Sequence, residues 1–382
     1  MGVVPAYLLC DWGRWLAAAA LLAFTMAPAP TMAQPPPPMD LKDLIELPRP
    51  VGIKEDRYCE TPVVPTDPGK ALEVVVTRLA ADGFQSTANN LMSTLFGGLG
   101  GASQPPPQPA QEQGLPVWRE ALKRELRYVP WLPPGVERQM GISLYAQKFA
   151  GQVPSGRPKP GVAPKDEIAV ELFRMLRSSL PAELPYDVEV KLKADTPGVQ
   201  VDAVALPGGK ILISGTSLPS TRPQADKLGP LELRALFTLA HELGHILKRH
   251  TTMRDQLMVW DVVDTAQTAR DLIEKGEIPT HKIATVLELL QRADVGYSVV
   301  DEYEADACAV RFLVEAGLDV QMAADEFMKA VEGGKAAKKV GIWSTHPKAP
   351  DRRERIQEVI NHYRGLKGLP PAAPAKAAKP RA

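Results

Sequence analysis

Residues 241–250 read His-Glu-Leu-Gly-His-Ile-Leu-Lys-Arg-His. Leu233, Leu236, Phe237, Ala240 and Ile246 recur around them at spacings of three and four, the stripe of a core-facing helix. Gly229-Pro230 marks its start, since proline is tolerated at the first helical position. On such a helix, positions i and i+4 share one face, so His241 and His245 can reach a single ion together. That spacing suits zinc. Glu242, one residue round from His241, flanks the ion without binding it, and a carboxylate there can take the proton of an attacking water. The alternative is two core histidines that happen to flank a glutamate.

A catalytic zinc takes three protein ligands and leaves one position open, so the chain must supply another donor. Downstream, Ser298 leads into a stretch holding Glu302, Glu304 and Asp306. Glu302 and Asp306 are four apart and share a helical face. Glu302 suits the third ligand. Asp306 suits the carboxylate behind it, accepting the free ring N–H of a ligand histidine, His241, and fixing its tautomer. Glu304 lies about 200° round the helix from Glu302 and is expected to point outward. Taken alone, this acidic stretch reads equally well as a solvated helix start.

At this point the chain resembles a known family. The segment 241–250, the pair Glu302 and Asp306, the stretch Asp202–Gly209 and the late Thr345-His346-Pro347 followed by Arg353 and Ile356 stand in the expected order. Together they resemble the gluzincin metallopeptidases related to HtpX and the CAAX prenyl endopeptidase, over residues 165–365. The chain departs from the family pattern at Asp202, often Asn, and at Val299, often Arg. The resemblance implies one Zn2+ per chain on His241, His245 and Glu302, with Glu242 as the base. It also implies that the strand containing Gly209, Ile211 and Ile213 borders the cleft, where an exposed edge can pair with extended or unfolded polypeptide. Relatives carry a histidine at His346 that reaches the metal site. There it can donate to the developing oxyanion, occupy the open metal position in a latent state, or be an ordinary loop residue.

The fold expected is α+β, a mainly helical zincin-type domain with a small antiparallel sheet. Strands are expected over residues 188–192, 199–206 and 211–214, the last two around Pro207-Gly208-Gly209. Helices are expected over residues 134–150, 166–179, 257–274, 283–293 and 351–362, the third and fourth placed where a lid can lie. By the helical repeat, His250 stands about 900° round from His241, half a turn off the ligand face, and is expected to cap the helix end. His281 and His362 have no partner pattern and are read as surface.

With 45 basic and 45 acidic residues the net charge is zero, which argues against nucleic acid as a partner. Residues 1–33 read as an export signal. An apolar run from Trp15 to Ala27 is too short to span a bilayer, and Thr31-Met32-Ala33 allows cleavage after Ala33. No later segment reads as a transmembrane span, which places the chain with the exported, periplasmic or secreted branch of the resembling family. Most of the 38 prolines cluster in residues 34–164, a proline-rich extension of helices and linkers, and residues 366–382 form a tail too poor in apolar residues to bury a core. Cys59 and Cys308 remain after cleavage. An oxidising compartment permits a disulfide, although a buried thiol at Cys308 is the reading preferred here. The function expected is an exported zinc endopeptidase acting on misfolded or misassembled envelope proteins, with association with envelope assembly machinery possible by analogy. The competing class is a chaperone-like or latent zinc protein with little proteolysis, against which the intact Glu242 argues.

Overall fold

The computed structural model describes residues 54–64, 128, 130, 132, 134–149, 163–177, 180, 184, 187–195, 202–262, 297–333 and 351–371. His346, His281, the export signal, residues 263–296 where a lid was expected, and the last eleven residues of the tail lie outside these. The chain divides into two compact units. One is drawn from Met1–Ile53, Pro65–Gln139 and Thr252–Ala293, the other from Lys54–Val64, Met140–Thr251 and Asp294–Ala382. The expected boundary at residue 164 falls within the second of these units.

The elements in chain order are α1 (Pro134–Lys148), α2 (Lys165–Arg177), β1 (Glu189–Lys193), β2 (Ala203–Leu206), β3 (Lys210–Ser214), α3 (Pro230–Leu247), α4 (His250–Val262), α5 (Val299–Glu315), α6 (Val320–Gly333) and α7 (Arg352–Leu366). This is the expected mainly helical α+β domain. Among the described residues no helix is long and apolar enough to cross a membrane.

The sheet differs from expectation in two respects. Its order is β1-β3-β2, with β3 parallel to β1 (Glu189↔Lys210) and antiparallel to β2 (Ala203↔Ile213), so it is mixed. β3 is therefore the central strand, and Ile211 and Ile213 do not form an edge that a substrate can pair with, nor does Gly209 lead into one. The physical reason is in the residues: Ile211-Leu212-Ile213 is an unbroken apolar run, all three fully buried, the pattern of a strand covered on both faces. The β2–β3 turn uses Gly208 and Gly209 at φ 73° and 92°, the two positive φ values of a tight hairpin that glycine adopts without strain. Asp202, just before β2, is fully buried. Its carboxylate accepts from Lys193 Nζ at 2.6 Å and its backbone N–H donates to Ser217 Oγ at 2.8 Å, which ties the end of β1 to the start of β2.

α3 is the centre of the second unit. It packs most heavily on α5, then on α6, with β2 and α2 on its other sides. Leu236, Phe237 and Leu243 of α3 meet Phe312 of α5 and Phe327 of α6 in one buried cluster, where the Phe237 and Phe327 rings lie 4.6 Å apart. Each such side chain contributes about 1.5–3 kcal/mol by leaving water. Gly244 sets how close α5 comes: a Cβ there would meet Ala305 Cα at 3.0 Å and Cys308 Cβ at 3.2 Å.

The segment Lys54–Val64 straps the same helices. Val64 N–H donates to Leu247 O of α3 at 2.9 Å. Arg311 of α5 donates to Cys59 O at 2.6 Å. Tyr363 of α7 donates to Tyr58 O at 2.5 Å, and His362 stacks on the Tyr58 ring at 4.0 Å. His362 is thus a packing partner rather than a bare surface residue. Cys59 and Cys308 form a disulfide, which corrects the preferred reading of a free thiol: the strap, a segment of the proline-rich extension, brings Cys59 onto α5.

Candidate metal centre

α3 presents His241 and His245 from one face, as their spacing requires, and α5 brings Glu302 opposite them. The His241 Nε2 to His245 Nε2 distance is 3.1 Å. Glu302 Oε1 lies 3.2 Å from His245 Nε2, and its Oε2 lies 3.5 Å from His241 Nε2. The three side chains are at most 3% exposed. Glu302 stands in the first turn of α5 because a capping box fixes that turn: Ser298 Oγ accepts from Asp301 N–H at 3.1 Å, and Asp301 Oδ2 accepts from Ser298 N–H at 3.0 Å. Acidic side chains in that turn also suit the positive end of the helix dipole.

The hydrogen-bond network assigns the tautomers. A carboxylate only accepts, so His241 Nδ1–H donates to Asp306 Oδ1 at 2.9 Å, which leaves a lone pair on Nε2. On the other ligand, Glu304 Oε2 lies 3.0 Å from His250 Nε2, so that nitrogen carries the hydrogen, and in the neutral tautomer of His250 the other nitrogen, Nδ1, is the acceptor. His245 Nδ1, 3.1 Å away, is then the donor, and His245 Nε2 is also a lone pair. Burial pushes the His245 pKa well below the usual imidazole value despite Glu302 pulling it up, which keeps this ring neutral. Tyr297 stacks on it with centroids 3.8 Å apart.

Two imidazole lone pairs and a carboxylate thus converge in a dry space. A cation standing between them would take all three as ligands. Charge points the same way. The buried carboxylates Glu242, Glu302 and Asp306 gather around the Arg352 guanidinium, an acidic setting that suits a dication. The donor set of two His nitrogens and one carboxylate oxygen, with all ligand atoms within 4.8 Å, fits zinc with one coordination position left open.

Arg352 is the residue that sequence reasoning missed. Its Nε and Nη2 donate to Asp306 at 2.5 and 2.8 Å, and its Nη1 lies 3.0 Å from Glu302 Oε2. Burial opposes its charge, but Asp306 and Glu302, with a contribution from Glu242, more than offset this and raise its pKa. The late motif had drawn attention to Arg353 instead, which pairs with Glu332 and Asp325 in a half-exposed position.

His250 and Glu304 also depart from expectation. α3 stops at Leu247, Arg249 takes φ 60°, and α4 starts at His250. The chain therefore turns back, and His250 meets the rear of His245 instead of capping the helix outside the site. Glu304 does not point outward: it is 3% exposed, accepting from His250 and, at 2.7 Å, from Asp56 N–H of the strap.

The model of peptidase family M48 matches residues 167–360, just over half of the chain, from the first turn of α2 to the middle of α7. No curated protein matches the sequence.

Proposed function

From the premise that this chain belongs to peptidase family M48, whose members are zinc-dependent, we propose that it is a zinc endopeptidase acting on extended or unfolded polypeptide. The single observation that carries the reading is the convergence of two imidazole nitrogens and the Glu302 carboxylate at 3.1–3.5 Å. His241, His245 and Glu302 would hold the zinc, which would supply a Lewis acid for the scissile carbonyl and for an attacking water. Glu242, next to His241 on α3 and buried, accepts that water's proton and passes it to the leaving amine. Asp306 holds His241 in the tautomer that binds metal.

The finer reading is an exported quality-control enzyme for misfolded envelope proteins. Its supports are the signal-like residues 1–33 and the Cys59–Cys308 disulfide, a bond that oxidising compartments preserve. His346 is kept as the candidate oxyanion donor. Casein cleavage with and without a chelator tests the core of the proposal. Glu242→Gln keeps zinc and fold and loses about a hundred- to ten-thousandfold in turnover. A zinc-loaded wild-type chain that cleaves no casein sinks it and leaves the chaperone-like class, and a Glu242→Gln protein that still cleaves at the wild-type rate overturns the role of Glu242 as the base.

A further inference from the structure

Behind His245 lies a hydrogen-bonded series that the peptidase chemistry does not itself require. His245 Nδ1–H donates to His250 Nδ1 at 3.1 Å, His250 Nε2–H donates to Glu304 Oε2 at 3.0 Å, and Glu304 Oε1 accepts from Asp56 N–H at 2.7 Å. His250 is fully buried and Glu304 nearly so. Asp56 is itself fixed: its carboxylate accepts from Lys248 Nζ at 2.6 Å and from Glu60 and Thr61 N–H at 2.7 and 2.9 Å. Three residues on, Cys59 is joined to α5.

We propose that His250 and Glu304 are positioning residues for the metal ligand His245, and that the strap Lys54–Val64 holds them in place. The inference rests on the reading of His245 as a zinc ligand. An imidazole that binds through Nε2 needs its Nδ1–H committed to a fixed acceptor, or the ring rotates and the tautomer exchanges. Asp306 does this for His241. A carboxylate placed directly behind His245 would do the same, but here a neutral imidazole stands between the ligand and Glu304. The intervening ring spans the gap that opens where α3 ends and Arg249 turns the chain.

The same residues admit a rival. His250, Asp301 and Glu304 bring ligand atoms within 4.8 Å of one another, which resembles a second cation site. Their atoms are committed otherwise. Asp301 Oδ2 accepts from Ser298 N–H in the capping box, and its Oδ1 lies 3.9 Å from His250 Nε2, too far for a hydrogen bond. A cation on His250 Nε2 would also displace the hydrogen that Glu304 accepts.

The test uses the full purified chain, with zinc itself as the probe. Zinc affinity is measured by competition with a chromophoric chelator, stoichiometry by metal analysis, and ligand geometry by the absorption spectrum of the cobalt-substituted protein. His250→Ala is expected to weaken zinc binding about ten- to a hundredfold and to shift the cobalt spectrum. His250→Asn, whose side-chain carbonyl stands near the place of Nδ1, is expected to restore most of the affinity. Glu304→Gln is expected to weaken binding about tenfold, since one amide oxygen cannot accept from both His250 and Asp56. This isosteric change carries the test if His250→Ala does not fold. Unchanged affinity and spectrum in these variants, or a loss that His250→Asn does not restore, overturns the inference while leaving the zinc enzyme intact. Two zinc ions per chain overturn it in favour of the second site. A wild-type chain that takes up no zinc overturns the metal reading and this inference with it.

Discussion

His241 and His245 stand one turn apart on α3, yet opposite chemistries hold them from behind. Behind His241 is a charged clamp: Asp306 accepts its N–H and is gripped by the Arg352 fork, which also reaches Glu302. Behind His245 is a neutral ring, His250, backed by Glu304 and a backbone N–H of the strap. The difference lies in what breaking each side costs. A buried ion cluster loses heavily when one partner goes, because the remaining charges stay buried and unbalanced. Breaking the relay at His250 frees the His245 ring to turn and takes one donor from Glu304, which keeps the Asp56 N–H. The clamp should therefore show itself in stability, and the relay in metal affinity.

The largest effect expected is from Arg352→Ala. It removes the one guanidinium facing Asp306, Glu302 and Glu242, and the loss should be about 3–5 kcal/mol. Denaturant unfolding of the metal-stripped chain measures it. A loss below about 1 kcal/mol would mean that water reaches this cluster, and the contrast between the two sides would fall.

The strap supplies the next test. Cys59→Ser removes the disulfide to Cys308, which closes a loop with a sequence separation of 249 residues. Loss of such a bridge costs about 2–4 kcal/mol, chiefly by freeing the unfolded chain. If the strap also serves the relay, zinc affinity falls with it in the folded protein. A stability loss with zinc affinity unchanged separates the strap's role as a staple from its role behind His245.

How much of this was legible follows from where helices break. The ligand set was readable because His241 with His245, and Glu302 with Asp306, each sit within one unbroken helix, where the helical repeat fixes faces. His250 was not, since Arg249 at φ 60° ends that repeat one residue earlier and extrapolation past it fails. Glu304 was sent outward by the same geometry, and it does leave the metal face. What spacing could not show is that the strap covers that side. Arg352 comes from 46 residues beyond Asp306, and nothing local distinguishes it from Arg353. β3 was misplaced for a different reason: the family resemblance outweighed the unbroken Ile-Leu-Ile run, which by itself signals a covered strand.

Gly244 connects the two sides, since it lets α5 approach α3 along the line that carries both Glu302 and Glu304. Gly244→Ala places a methyl 3.0 Å from Ala305 Cα and O, tighter than ordinary packing. Overpacking of this kind costs about 1–3 kcal/mol, less what alanine returns as the better helix former, about 1 kcal/mol. A shift of α5 would move the ligand Glu302 and the backing Glu304 at once, so zinc affinity should fall too. A variant as stable and as metal-tight as wild type would show that the interhelical distance has slack.

The smallest effect expected comes from the residue beside the largest. Arg353 follows Arg352 on the first turn of α7, but about 100° round the helix it points to the rim, where it meets Glu332 at 2.9 Å and Asp325 at 3.4 Å. Its side chain is 37% exposed and that of Glu332 is 54% exposed. The Glu332 hydrogen bond raises the arginine's pKa against the opposing effect of burial. In water, however, such pairs are screened and contribute about 0–1 kcal/mol. Arg353→Ala should therefore change unfolding stability by no more than that, lose part of even this difference at high salt, and leave zinc affinity alone. The same two measurements, run on Arg352→Ala and Arg353→Ala together, set a buried clamp against an exposed pair in adjacent residues of one helix. A larger loss from Arg353 than from Arg352 would mean that the face of α7 turned toward the metal centre has been assigned to the wrong arginine.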